Sequence, residues 1–480
     1  MRKNDLLNNL SWKFAERIAA QLVTVIVSII LARMLTPQDY GIIAIVTIFI
    51  TFANVFVSDG FGSALIQKKE VDALDYSSVL YFNIIFSIVL YAILFFCAPL
   101  IASFYGDGYE ILTPVLRVLG LRIIVSAVNS VQQAYVSRKM IFKKFFWSTL
   151  IGTVLSAVVG IGMAYSGFGV WALVGQYLTN TTVGTVTLAV SLRKKPILSF
   201  SFERLKGMVG YGSKILGTSL LITGYQEIRA LIIGKVYSSE DLAYYDKGRQ
   251  FPNLIVTNIN TSIGAVLFPK MAQEQDDKTR IREITRKSIR FSSYLMCPLM
   301  LGLAAVAEPF VKIVLTDKWL PCVTLLQIFC VVYLFQPIHT ANMQAIKAIG
   351  RSDVYLKLEI IKKVIELVVL LIVMWISVEA IVVSMAILTM AFTFVNAYPN
   401  KKLLNYSFKQ QMGDILPSVC MSLVMAVIVY FFGKIPMNAY ISFGVQIILG
   451  MIVYFALSLI TKNSELKYFI NLIKKKKEVN

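Results

Sequence analysis

Arg17, Lys214 and Arg229 are cations set within long apolar stretches of this 480-residue chain. A charge at the centre of a bilayer costs about 2.5–3.5 kcal/mol even on the mild insertion scale, so each needs water, a partner or an anionic ligand. Arginine offers the bidentate geometry that suits a phosphate or pyrophosphate. The polar residues around them recur at helical spacing, i, i+4, i+7, i+11 in the most regular stripes, which puts them on one helix face. Arg17, Gln21, Thr24 and Ser28 form one such stripe, and Thr47, Thr51, Asn54 and Ser58 a second, with Asp59 next. Lys214, Thr218, Tyr225 and Arg229 form a third, with Glu227 nearby, and Asn253, Thr257, Asn260 and Thr261 a fourth. Arg122, Ser126, Asn129 and Gln133 make a fifth. Each group has an alternative role. Arg17 lies close enough to a helix end to snorkel, Glu227 is placed to pair with Arg229 or Lys214, and Ser, Thr and Asn also join helix to helix. Arg33 and Lys235 read as interfacial anchors. His339, the only histidine, reads as a packed core residue or a proton relay.

The stretches that carry these residues are long enough to cross a membrane. A bilayer core about 30 Å thick needs roughly 20 apolar residues per helix, and only helices or closed barrels satisfy their backbone there. The sequence predicts fourteen helical spans, near 11–34, 38–58, 77–104, 112–136, 146–166, 170–192, 208–235, 250–270, 288–315, 322–347, 354–377, 379–400, 413–433 and 439–461. Composition agrees: 57% of residues are hydrophobic and 15% charged, with a mean hydropathy of +0.69, against about 25% charged in soluble domains. The expectation is an all-α polytopic membrane protein. Pro252 and Pro337 are the expected bend points.

The net charge of +20 is a topology signal. Basic clusters such as Arg138, Lys139, Lys143 and Lys144, or Lys474 to Lys477, fall on one set of loops, and the alternate loops, such as Gly106-Asp107-Gly108, are nearly neutral. The positive-inside rule places both termini in the cytoplasm. The excess also attracts anionic lipid headgroups and gives no case for nucleic acid. The first apolar stretch lacks a cleavage site and reads as a signal anchor. The five cysteines form no metal-like or disulfide pattern. No Walker A, GxSxG, HExxH or paired-carboxylate motif is present, so neither an enzyme nor ATP-driven transport is expected, and no cofactor.

A weak repeat appears at an offset of 202. Leu31 to Asp39 aligns with Ile233 to Asp241, and Gly62 to Lys68 with Gly264 to Lys270. Thr51 then meets Asn253, and Ser58 meets Asn260. Six spans per half is an even number, so both halves keep one orientation, the parallel layout of rocker-switch transporters. The expected organisation is a lobe over 1–206, a lobe over 207–406, and two further helices with a basic tail over 407–480. The repeat-related stripes would line a cationic cavity, with two pseudo-symmetric six-helix lobes around it.

The run Leu31-Ala32-Arg33-Met34-Leu35-Thr36-Pro37-Gln38-Asp39-Tyr40-Gly41 resembles a signature of bacterial polysaccharide flippases. So do Asp59-Gly60-Phe61-Gly62-Ser63-Ala64-Leu65-Ile66-Gln67-Lys68, Tyr244-Tyr245, Phe268-Pro269 and Gln344 to Arg351. The chain is similar along its length to the Wzx-like branch (O-antigen, exopolysaccharide or teichuronic acid export) of the multidrug/oligosaccharidyl-lipid/polysaccharide exporter superfamily. The resemblance implies an inner-membrane carrier that moves undecaprenyl-pyrophosphate-linked repeat units to the periplasmic leaflet by alternating access, for a polymerase or ligase to use. It carries over Arg17, Arg33 and Arg229 as functional cations. Relatives usually have an adjacent acidic–basic pair at the last position, whereas here Ile228 separates Glu227 from Arg229. A coupling ion, H+ or Na+, is a further expectation. Two competing readings are a cation-coupled drug antiporter, which would draw on the few buried acids (Asp59, Glu227, Glu366), and a membrane glycan polymerase or ligase, which would need a large outer loop.

Overall fold

The computed structural model describes residues 3–193 and 197–467, with the side chains of 3–18, 262, 263, 265, 266, 268 and 269 outside that description. The described chain is helical, without strands. In order, the helices are α1 (Lys3–Met34), α2 (Pro37–Ser58), α3 (Phe61–Gln67), α4 (Ala73–Tyr105), α5 (Leu112–Lys139) and α6 (Phe142–Tyr165). Then come α7 (Val170–Leu192), α8 (Phe202–Val236), α9 (Ser239–Gln273), α10 (Lys278–Ala305), α11 (Ala307–Val314) and α12 (Cys322–Leu334). The last are α13 (Gln336–Ala348), α14 (Ser352–Val373), α15 (Val378–Leu404), α16 (Phe408–Phe432) and α17 (Ala439–Ile460). Among the described residues nine helical segments are long and apolar enough to cross a membrane. Large apolar side chains face outward, among them Phe96, Leu100, Ile372 and Trp375, each at least 65% exposed. Exposed apolar surface on that scale belongs in lipid, so this is a multi-pass membrane protein.

Local chemistry sets the helix ends. Side chains of Thr36, Asp72, Ser377 and Ser407 accept the amides three residues on, the usual way to satisfy free N–H groups at a helix start. Met140, Arg193 and Asn405 end their helices in the left-handed region. Several expected bounds shift for the same reason. The seventh span begins at Phe202, because Ser201 accepts the Arg204 amide. The eighth begins at Ser239, because Ser238 accepts the Asp241 amide. The expected 288–315 helix breaks at Val306. The 322–347 helix breaks at Phe335, where Pro337 opens the new helix. Proline is suited to that first turn and lacks the amide needed to continue the old helix. α9 runs through Pro252 without a break.

The chain packs as two compact units, Met1–Ala243 and Tyr244–Asn480. In the first, α6 and α7 lie against each other over most of their length. A Cβ at Gly152 would meet the Asn180 carbonyl at 3.0 Å and Gly184 at 3.1 Å, so small residues set this close approach. α8 packs on α2, α3 and α4, and so belongs to the first packing unit although the repeat begins the second half at 207. In the second unit α10 pairs with α16, and α15 with α12, α13 and α14.

Candidate functional site

The two signature runs prove to be architecture. Thr36 and Asp39 form a capping box: the Thr36 Oγ1 accepts the Asp39 amide at 3.2 Å, and an Asp39 carboxylate oxygen accepts the Thr36 amide at 3.0 Å. Pro37 occupies the first turn. One turn on, Gly41 touches the backbone of Ser239: a Cβ there would stand 2.8 Å from the Ser239 Cα and closer still to its carbonyl. Only glycine fits. At the start of α9 the hydroxyl half of this cap recurs 202 residues later: Ser238 Oγ accepts the Asp241 amide at 3.0 Å and donates to the Asp241 carboxylate at 2.7 Å, as Thr36 Oγ1 donates to Asp39 at 2.7 Å. The repeat thus shares a cap as well as a sequence pattern.

The second run builds α3. This helix is only 7 residues long, and its free carbonyls are gathered by one guanidinium. Arg138 donates to Leu65 and Ile66 at 3.0 and 2.9 Å, to Lys69 at 3.0 Å, and to Lys68. A cation at a helix C-terminus meets both the orphan carbonyls and the negative dipole end. Lys68 in turn pairs with the buried Asp75 at 2.6 Å, and Arg204 reaches Asp72 at 3.2 Å.

The expected polar stripes fall in different surroundings. Arg17 sits on α1, and its side chain lies outside the described residues. Gln21 and Ser28 are half-buried, and Thr24 is exposed, its hydroxyl donating to the Ala20 carbonyl at 2.7 Å. On α2, Thr51 and Asn54 are half-buried, the Asn54 Oδ1 without a hydrogen-bond partner, and Ser58 donates to Asp59 at 2.9 Å. On α8, Lys214 and Thr218 are exposed. Higher on α8, the Arg229 guanidinium donates to the Tyr225 hydroxyl at 3.1 Å and lies 5.3 Å over its ring, with Glu227 half-buried nearby. Arg33 is exposed in the last turn of α1, and Lys235 donates to the Phe104 carbonyl. Arg122 donates to Thr181 at 2.8 Å and Asn129 to Thr185 at 3.0 Å, so these two join α5 to α7. In the second unit Asn253 and Thr257 are exposed along α9, and the Asn260 Oδ1 is buried without a partner.

The second unit also holds a polar cavity of about 330 Å³ among α13, α14 and α15. From α14, Lys362 pairs with Glu359 at 2.5 Å and Lys363 with Glu366 at 3.4 Å. The opposite side of α14 is apolar and exposed (Ile360, Val364, Leu367, Leu371). His339 lines the cavity from α13. Its Nδ1 accepts the Asn396 amide at 2.6 Å, which assigns the ring proton to Nε2, 3.4 Å from the Thr393 hydroxyl. Of these residues sequence reasoning singled out His339 as a candidate and Glu366 only as a buried acid. Two Lys–Glu pairs at i, i+3 within an otherwise apolar stretch were the available signal.

Comparison with known proteins gives a consistent picture. The family model described as "Polysaccharide biosynthesis protein" matches residues 30–324. The teichuronic acid biosynthesis protein TuaB of Bacillus subtilis is 23% identical over 351 residues, covering 73% of this chain and 72% of TuaB. The succinoglycan biosynthesis transport protein ExoT of Rhizobium meliloti is 24% identical over 311 residues, 65% of this chain and 63% of ExoT. Among solved structures, the lipid II flippase MurJ in an inward closed conformation shares the fold with a TM-score of 0.75 at 16% identity, over 97% of this chain and 100% of that one.

Proposed function

The chain belongs to the Polysaccharide biosynthesis protein family, and we propose that it is a flippase that carries undecaprenyl-pyrophosphate-linked oligosaccharide units from the cytoplasmic to the periplasmic leaflet. The observation that carries this reading is the cationic polar face of α8, with Lys214, Thr218, Tyr225 and Arg229 on a helix of a multi-pass membrane protein. A cation at membrane depth needs water, an anionic ligand or a partner. The pyrophosphate is the anion that travels, and Arg17, Lys214 and Arg229 are its proposed contacts. Hydroxyl and amide stripes on α2 and α9 meet sugar hydroxyls, and the prenyl tail stays in lipid. The named roles of ExoT in transport and of MurJ as a flippase support the same activity. The protein acts as a carrier without covalent chemistry. It sits in the bacterial inner membrane with fourteen spans and cytoplasmic termini, moves by alternating access coupled to H+ or Na+, and hands its cargo to a polymerase or ligase.

The test is leaflet sidedness of the lipid-linked oligosaccharide in membranes with and without the protein. Cytoplasmic accumulation in its absence, reversed by wild type and at least tenfold less by Arg17→Ala or Arg229→Ala, supports carrier and headgroup site together. Intact transport in both variants removes the headgroup assignment. Unchanged sidedness in cells lacking any redundant carrier removes the flippase.

A further inference from the structure

The cavity of the second unit is built for more than charge neutrality. Its volume of about 330 Å³ lies at the lower end of the range for small-ligand sites, roughly 300–1,000 Å³, a size for one or two sugar rings. Six acidic or basic side chains face it: Lys347 and His339 from α13, and Glu359, Lys362, Lys363 and Glu366 from α14. Four of the six are two ion pairs. Lys347 is the cation left over. It lies 4.1 Å over the Tyr355 ring and has no carboxylate partner among the described residues. Three lysines face two carboxylates, so the lining carries one net positive charge with His339 neutral.

The uncharged lining is equally telling. Gln336, Thr340 and Gln344 lie along one face of α13, at i, i+4, i+8, and open on the cavity without a side-chain hydrogen bond among the described residues. Asn396 closes the cavity from α15. It is 0% exposed, and its Oδ1 is buried with no partner. Buried polar atoms are nearly always satisfied, and an orphan calls for an explanation. A site that only held a proton would need none of these amides. A metal ion would not share a lining with three ammonium groups, and no metal-binding cluster occurs among the described residues. Amides that both donate and accept, beside ion-paired carboxylates and ammoniums, match the paired donor and acceptor character of sugar hydroxyls.

We propose that this cavity is a saccharide subsite for an acidic sugar, its carboxylate at the Lys347 Nζ and its ring hydroxyls at Gln336, Thr340 and Gln344. The proposal rests on the flippase reading, since the sugar it names is part of the carried unit. It assigns the selection among sugar units to the second unit, apart from the headgroup cations.

The experiment uses the full chain in lipid nanodiscs with methyl β-glucuronide, methyl β-glucoside and inorganic phosphate as probes, read by saturation-transfer NMR and titration. The glucuronide is expected to bind at least tenfold tighter than the glucoside. Lys347→Gln is expected to abolish that difference and Lys347→Arg to retain it, at unchanged melting temperature. Tyr355→Leu, which removes the ring beneath Lys347, is expected to weaken glucuronide binding while sparing the glucoside. Equal binding of the two glycosides, insensitivity to Lys347→Gln, or full displacement of the glucuronide by phosphate at equal concentration each overturns the subsite. The flipping assay on the same variants separates the two readings. Transport without glucuronide preference removes the subsite alone, and glucuronide binding without transport removes the flippase alone.

Discussion

Gly41→Ala is the smallest change with a large expected effect. The added methyl would stand 2.8 Å from the Ser239 Cα and nearer still to its carbonyl, against 3.4–4 Å for ordinary contact. The gap to be opened is therefore at least 0.6 Å at the Cα (3.4 minus 2.8) and more at the carbonyl. Both partners are backbone, at the starts of α2 and α9, so no rotamer change relieves the clash. Overpacking costs about 1–3 kcal/mol where side chains can adjust. With rigid helix ends the expected loss is at the top of that range, about 3 kcal/mol, or roughly a hundredfold in the folded population at about 1.4 kcal/mol per decade. The assay is thermal unfolding of purified protein, scored by a thiol-reactive dye at the buried cysteines Cys297, Cys322 and Cys330. Gly62→Ala is the control. An added Cβ there meets nothing within 4 Å, so it should be neutral or gain about 0.4–1 kcal/mol from the stiffer unfolded chain. If Gly41→Ala melts with Gly62→Ala, the backbone contact does not exist as described.

Two further outcomes follow from the same region. Thr36→Ala and Ser238→Ala should each cost about 1 kcal/mol, the usual value of an N-cap, and by similar amounts because the caps share one geometry; a difference of threefold between their melting shifts would break the equivalence. Arg138→Lys should fail to rescue Arg138→Ala, because an ammonium cannot reach four carbonyls as the planar fork does, and protease nicking between Leu65 and Lys69 is the readout; equal protection by Lys would show that charge alone holds α3.

Much of this architecture is legible in the residues themselves. The apolar stretches announce a membrane protein, and Thr36-Pro37-Gln38-Asp39 spells a helix start that any capping argument finds. α3 hides in what reads as a loop, since 7 residues show too little periodicity and their support comes from Arg138, far along the chain. The reason for Gly41 is hidden too, because its neighbour Ser239 lies in another helix. The cavity of the second unit escapes notice because its residues come from α13, α14 and α15. Arg122 and Asn129 are legible as polar and membrane-embedded. Their use, bonding to Thr181 and Thr185, depends on a partner helix that spacing does not reveal.

The side-chain caps at Thr36 and Ser238 draw on residues no more than three positions apart. Such a knot can tie as soon as its own few residues leave the ribosome, before any partner helix exists. Each would then fix the point where a growing chain turns back into the bilayer, so that α2 and α9 are started by their own instructions and not by the finished bundle. Translation can meet each half of the repeat as a separate problem, with the turning point written into the segment itself.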